Sequence, residues 1–136
     1  MNQEKSSHNI KSAKFPVIVI LRWLLGIYLI GGCLFSAYLF VLNWASIYAV
    51  FMKINPSLGI YPMLVGWVLK LMSGGLFLIR SKWLLAAIPA WIAAFMFDFL
   101  SRNRFDQLSP EFYFAVGVQF VIFAFAFWLN VQGRLK

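Results

Sequence analysis

Four long apolar stretches, separated by short polar breaks, set the pattern of this chain: residues 16–42, 58–79, 83–100 and 112–129. A helix of about 20 residues, rising 1.5 Å per residue, covers the hydrocarbon core of a bilayer, and apolar runs of about 18 or more are the usual signature of one. The pattern predicts four spanning helices, over about 17–42, 59–79, 83–100 and 111–130. Residues 120–128 alternate in the manner of a strand. A lone strand in lipid would leave its backbone groups unpaired, so helix is expected there too.

The breaks carry recognisable stop and start signals. Between residues 17 and 52 there is no proline and Arg22 is the single charge. One straight helix of that length would run to about 54 Å, well beyond the core. The first span is therefore expected to end near Leu42, with residues 43–56 lying at the interface and Trp44 and Tyr48 in the headgroup layer. Asn55-Pro56-Ser57 stops the interfacial segment, and Pro62 suits the first turn of the second span. Arg80-Ser81-Lys82 reads as a tight turn in which Ser81 caps the third span. Ser109-Pro110-Glu111 is the clearest start signal: a capping residue, a proline at the first helical position and an acid at the positive end of the helix dipole.

Composition supports a membrane rather than a soluble fold. Hydrophobic residues make up 62% of the 136 positions and charged residues 12%, against roughly 45–50% and about 25% in soluble domains. The division expected is a polar, disordered tail over residues 1–14 and a four-helix transmembrane domain over 15–132, with no room for a separate soluble domain. Lys11 and Lys14 ahead of an apolar run resemble a signal peptide, but the run is longer than a signal core, so an uncleaved first span is the better reading. Ile30-Gly31-Gly32-Cys33 loosely matches a lipoprotein cleavage site, yet residues 34–44 are too apolar for the start of a mature lipoprotein.

The net charge of +8 raises nucleic acid as a partner, but the Lys and Arg residues are scattered among span ends and form no stripe. Topology explains them better. With both termini inside, that side carries Lys5, Lys11, Lys14, Arg22, Arg80, Lys82, Arg134 and Lys136, and the other only Lys53, Arg102 and Arg104. Cytoplasmic loops hold the excess of basic residues, so both ends are expected in the cytoplasm, most simply of a cell with the protein in its inner membrane. Arg22 is expected to snorkel to that face as an anchor.

Few side chains offer chemistry. His8 is the only histidine and lies in the polar tail, and Cys33 is the only cysteine, so neither a metal cluster nor an intrachain disulfide is expected. Gly31-Gly32 and Gly74-Gly75 lack the strand-loop-helix setting of a phosphate loop. No cofactor and no catalytic group is predicted.

The strongest remaining signal is polar groups inside apolar spans. Lys70 lies mid-span, where a lysine costs about 2.5–3.5 kcal/mol. Asp98 is the acid well inside another span. Counted from the turn at Ser81, the two differ by about 9 Å in depth, and their side chains lean toward each other. The sequence predicts a Lys70–Asp98 contact, direct or through water, serving either as a register lock or as part of a solute path. Gly31, Gly32 and Ser36 in the first span, and Gly66, Ser73 and Gly74 in the second, are small residues that favour helix packing. Gln119 is placed to bond across the bundle, Pro89 to kink the third span, and Arg102, Arg104 and Asp106 to form a loop contact.

The expectation is an all-α bundle of four transmembrane helices, non-catalytic, acting through contacts with the bilayer and with another membrane protein or a second copy of itself. It would serve as an accessory subunit or a protective, immunity-type protein. The alternative is an oligomeric transporter or channel using Lys70 and Asp98.

Overall fold

The computed structural model describes residues 3–54, 56–102 and 109–136, with side chains from Val17 onward. Five helices follow one another: α1 (Gln3–Leu42), α2 (Trp44–Ile54), α3 (Tyr61–Ile79), α4 (Leu84–Arg102) and α5 (Pro110–Val131). Four segments are long and apolar enough to cross a membrane: Val17–Leu42 within α1, and the whole of α3, α4 and α5. The chain is an all-helical, multi-pass membrane bundle, and no strand forms among the described residues. Its outer surface suits lipid, since Trp83 is 76% and Phe114 75% exposed among many other large apolar side chains.

α1 begins earlier than the pattern suggests. Residues 3–14, expected as a disordered tail, form its first turns. Residues 3–15 contain no glycine or proline, and their Glu, Gln and Lys are good helix formers that extend an existing helix. At the other end, Asn43 marks the joint with α2. Its N–H and its Nδ2 both donate to Leu39 O, at 3.1 and 2.9 Å, and Asn43 O accepts from Ile47 N–H at 3.0 Å. Phe51 is the buried residue of α2. Trp44 stacks on Tyr48, with ring centroids 5.3 Å apart, while Phe40 meets Trp67 of α3 edge-on at 5.4 Å.

The turn signals act largely as expected. Pro62 lies in the first turn of α3, where its missing N–H costs no helical bond. The Ser81 hydroxyl accepts the Trp83 N–H at 3.3 Å, just ahead of α4. Ser109 has the extended backbone of an N-cap, but its side chain makes no capping hydrogen bond. Pro89 lies inside α4, which is helical throughout from Leu84 to Arg102.

α3 is central, packed between α1 and α4, and α5 lies on α4. The α1–α3 crossing depends on two glycines. A Cβ on Gly74 would meet Ile30 Cγ1 at 2.7 Å and Gly26 O at 3.1 Å, and one on Gly26 would meet Leu78 Cδ2 at 2.6 Å. Only hydrogen at both positions lets the backbones approach so closely.

The chain end closes one end of the bundle. Gly133, with φ +65°, turns the chain after α5, Arg134 N–H donates to Leu129 O, and Leu135 is buried. Lys136 N–H then donates to Arg80 O at 2.6 Å and Lys82 N–H to Lys136 O at 2.9 Å. The start of the first span, the α3–α4 turn and the chain end thus share one end of the bundle, its terminal end. Leu29, Phe77, Leu84, Ile88, Ala126 and Leu129 fill the half of the bundle nearest to it. The far half is less solid, and there the polar groups collect.

Candidate functional site: a polar cavity in the far half

A cavity of about 450 Å³ opens between α1, α3, α4 and α5. Its polar lining is Ser36, Lys70, Asp98, Arg102 and Gln119, and its apolar lining includes Tyr28, Trp67, Trp91 and Phe95. Residues from four helices reach it because α3 and α4 are antiparallel about the short turn at Ser81. That arrangement brings Lys70 and Asp98 to one cavity, as the sequence count requires.

Lys70 is half-buried, and its Nζ lies 5.9 Å from the centre of the Tyr28 ring and 6.0 Å from that of Trp91. Both are at the outer limit of a cation–π contact. Gly32 gives the ammonium its space: a Cβ there would stand 3.2 Å from Lys70 Nζ. Among the described residues no carboxylate bonds to Lys70.

Asp98 is engaged elsewhere. Its Oδ2 is ion-paired with Arg102 Nη2, one turn further along the same helix. Arg102 Nε also donates to Asp98 O at 3.2 Å, and its guanidinium lies 4.4 Å from the ring centre of Phe51. The direct Lys70–Asp98 contact expected from the sequence is therefore replaced by an i,i+4 pair, because Arg102 reaches Asp98 within its own helix. Arg102, expected in a loop contact, ends α4 and turns inward instead. Arg104 and Asp106 lie outside the described residues.

Two residues of the lining carry a buried acceptor without a hydrogen-bond partner among the described residues: Asp98 Oδ1 and Gln119 Oε1, on residues 8% and 5% exposed. A buried polar atom left unpaired costs about 1–3 kcal/mol, so two beside one cavity are a strong sign of a polar occupant. Together with the Lys70 ammonium they form a complementary set. The acceptors take N–H or O–H groups and the ammonium takes an anionic or carbonyl oxygen, while aromatic rings line the rest. No group of three His, Cys, Asp or Glu gathers among the described residues to hold a metal ion.

The small residues fall into distinct roles. Gly74 is buried at the α1–α3 contact, and Ser73 beside it is buried in α3 and bonds back to Leu69 O at 2.8 Å. Gly66 and Ser36 line the cavity, Ser36 also bonding to Gly32 O at 2.8 Å. Gly31 is exposed and a Cβ there would meet nothing within 4 Å. The packing role of Gly26 and the inward turn of Arg102 emerge only in the structure. Gly26 has no small neighbour at i+4 in its own helix, since its partner, Gly74, is on another.

Comparison with known protein families, with characterised proteins and with solved structures returns no match, so a function has to be read from these side chains.

Proposed function

We propose that this chain is a non-catalytic membrane protein that binds a small polar solute in the far half of its bundle, as a transporter or a solute-binding subunit does. The observation that carries this reading is the pair of buried, unpartnered acceptors, Asp98 Oδ1 and Gln119 Oε1, on residues that line the same cavity as Lys70. The cavity is lined by four helices of one chain, so the reading does not depend on a second copy. The solute class is a molecule that carries both hydrogen-bond donors and an anionic or carbonyl oxygen beside an apolar body, for which free aromatic amino acids are the simplest probes. The basic residues at the terminal end favour a cytoplasmic position for that end under the rule for charged loops, and the inner membrane is the simplest location.

The test is thermal stabilisation of the purified full chain in nanodiscs by tryptophan, tyrosine and phenylalanine. Their methyl esters, which lack the carboxylate, and their N-acetyl forms, which lack the ammonium, serve as controls. Stabilisation by the free amino acids that weakens in both blocked series supports the reading; no response to any of them counts against it. The second reading, an accessory or protective subunit working through lateral contacts, is favoured by Gly31, whose open side lies on the exposed face of α1. A stoichiometric foreign protein retained in mild detergent would favour it.

A further inference from the structure

The cavity around Lys70 is not walled equally on all sides. Going round it, α1 packs on α3, α3 on α4 and α4 on α5, whereas the backbones of α5 and α1 hardly approach each other. Three of the four seams are closed, and the fourth, between α1 and α5, is not. Tyr28 of α1 and Phe114 of α5 line the cavity yet are 59% and 75% exposed, so each reaches from the lining to the outer surface of the bundle. Along α3 the lining runs from Pro62, in the first turn, to Lys70, about 12 Å along the helix axis. Lys70 and Gln119 sit near the middle of α3 and α5, which have 19 and 22 residues. At that depth a side opening meets acyl chains rather than water.

Two kinds of occupant would cover such an opening. A second copy of the chain would bring another α1 or α5, but residues 23–42 and 112–129 contain no charged side chain to answer Lys70 or Asp98. An amphiphile answers both media: its polar head enters the cavity while its chain stays in the bilayer, and neither part is moved into the wrong solvent. The lining sets the chemistry of the head. The Lys70 ammonium takes an anionic oxygen, which a lipid phosphate supplies. Asp98 Oδ1 and Gln119 Oε1, unpartnered on buried residues, take hydrogen-bond donors. One of these acceptors belongs to a carboxylate, so a charged N–H donor suits the pair better than a neutral hydroxyl. A primary ammonium offers three such donors, whereas a quaternary choline offers none.

We infer that the cavity takes the headgroup of an aminophospholipid, a lipid with a primary ammonium and a phosphate, which enters sideways between α1 and α5 and leaves its acyl chains in the bilayer. The inference rests on the solute-binding reading above and narrows it, the acyl chains being the apolar body of the solute. Lys70 holds the phosphate, Asp98 and Gln119 hold the ammonium, and the bare backbone of Gly32 leaves room for the Lys70 ammonium.

The experiment uses the full chain purified in mild detergent. Native mass spectrometry compares retention of phosphatidylethanolamine, phosphatidylcholine and phosphatidylglycerol with identical acyl chains. Thermal unfolding is followed with phosphatidylethanolamine, with phosphoethanolamine and with the free aromatic amino acids. Gln119→Leu is the variant, since it removes one acceptor and leaves no buried polar group unpaired at that position, so it should unfold no earlier than the native chain. The native chain should retain phosphatidylethanolamine about tenfold better than the other two lipids, and Gln119→Leu should lose most of that preference. Phosphoethanolamine, which has no acyl chain, should stabilise far less than the intact lipid. Equal retention of the three lipids, a preference for phosphatidylcholine or phosphatidylglycerol, a preference that survives Gln119→Leu, or equal stabilisation by phosphoethanolamine overturns the inference. If the free amino acids still stabilise the chain in those cases, the solute-binding reading stands without it; if neither lipid nor amino acid has any effect, both fall.

Discussion

Replacing Lys70 by methionine should make the protein more stable and leave it unable to bind. A lysine in mid-span costs about 2.5–3.5 kcal/mol when it faces lipid. Lys70 instead faces a cavity of about 450 Å³, which relieves roughly half of that cost by admitting water. The Tyr28 and Trp91 rings, at 5.9 and 6.0 Å, contribute about 0.5 kcal/mol each at that range. A net cost of roughly 0.3–0.8 kcal/mol remains, and methionine, an unbranched and adaptable side chain, fills the space without it. Unfolding of Lys70→Met by SDS from bicelles, followed by circular dichroism, should therefore need more denaturant than the native chain. A loss of more than about 1 kcal/mol would refute the reasoning, because it would make Lys70 a structural pin whose contacts outweigh its burial. Retention of solute binding by Lys70→Met would refute the functional half separately.

Three further outcomes are expected. Gly74→Ala should destabilise by about 1–3 kcal/mol through the clash with Ile30 and the Gly26 carbonyl, whereas Gly75→Ala, one residue on and with nothing within 4 Å of its added carbon, should be neutral or stabilising by up to about 1 kcal/mol in the same assay. Asp98→Asn should cost about 1–2 kcal/mol, because Arg102 loses its charged partner while only partly exposed, and the double variant Asp98→Asn with Arg102→Gln should recover most of that loss in a thermodynamic cycle. In a Cys33→Ser background, an impermeant maleimide should label Ser57→Cys in intact cells and Lys82→Cys only after lysis; the reverse pattern would invert the orientation.

The spans and turns are legible because they depend on local chemistry. The extent of each apolar run, Pro62 at a helix start and Ser81 before another all act over a few residues. The cavity is only partly legible. Counting from Ser81 brings Lys70 and Asp98 to similar depth, but it cannot decide between two cations competing for one carboxylate, and Arg102 has the advantage of the same helix. Gly32 is visible as a small residue, yet its role as clearance for the Lys70 ammonium depends on how α1 is rotated against α3. Arg22 escapes a sequence reading for a comparable reason. Distance from the helix end suggests an exposed anchor, and nothing local reveals that it is buried, beside a cavity shared with Gly133, Arg134 and Lys136.

The uneven packing of the bundle also has a mechanical consequence. Gly26 and Gly74 touch near the solid end, and the far end of α3 lies about 20 Å away along its axis. The crossing is thus a fulcrum and α3 a long lever arm: a tilt of about 5° there moves Tyr61 by roughly 1.7 Å over that length. Shifts of this size would widen or narrow the cavity where Pro62 and Phe114 line it, while the side chains around Phe77 and Leu129 keep their neighbours.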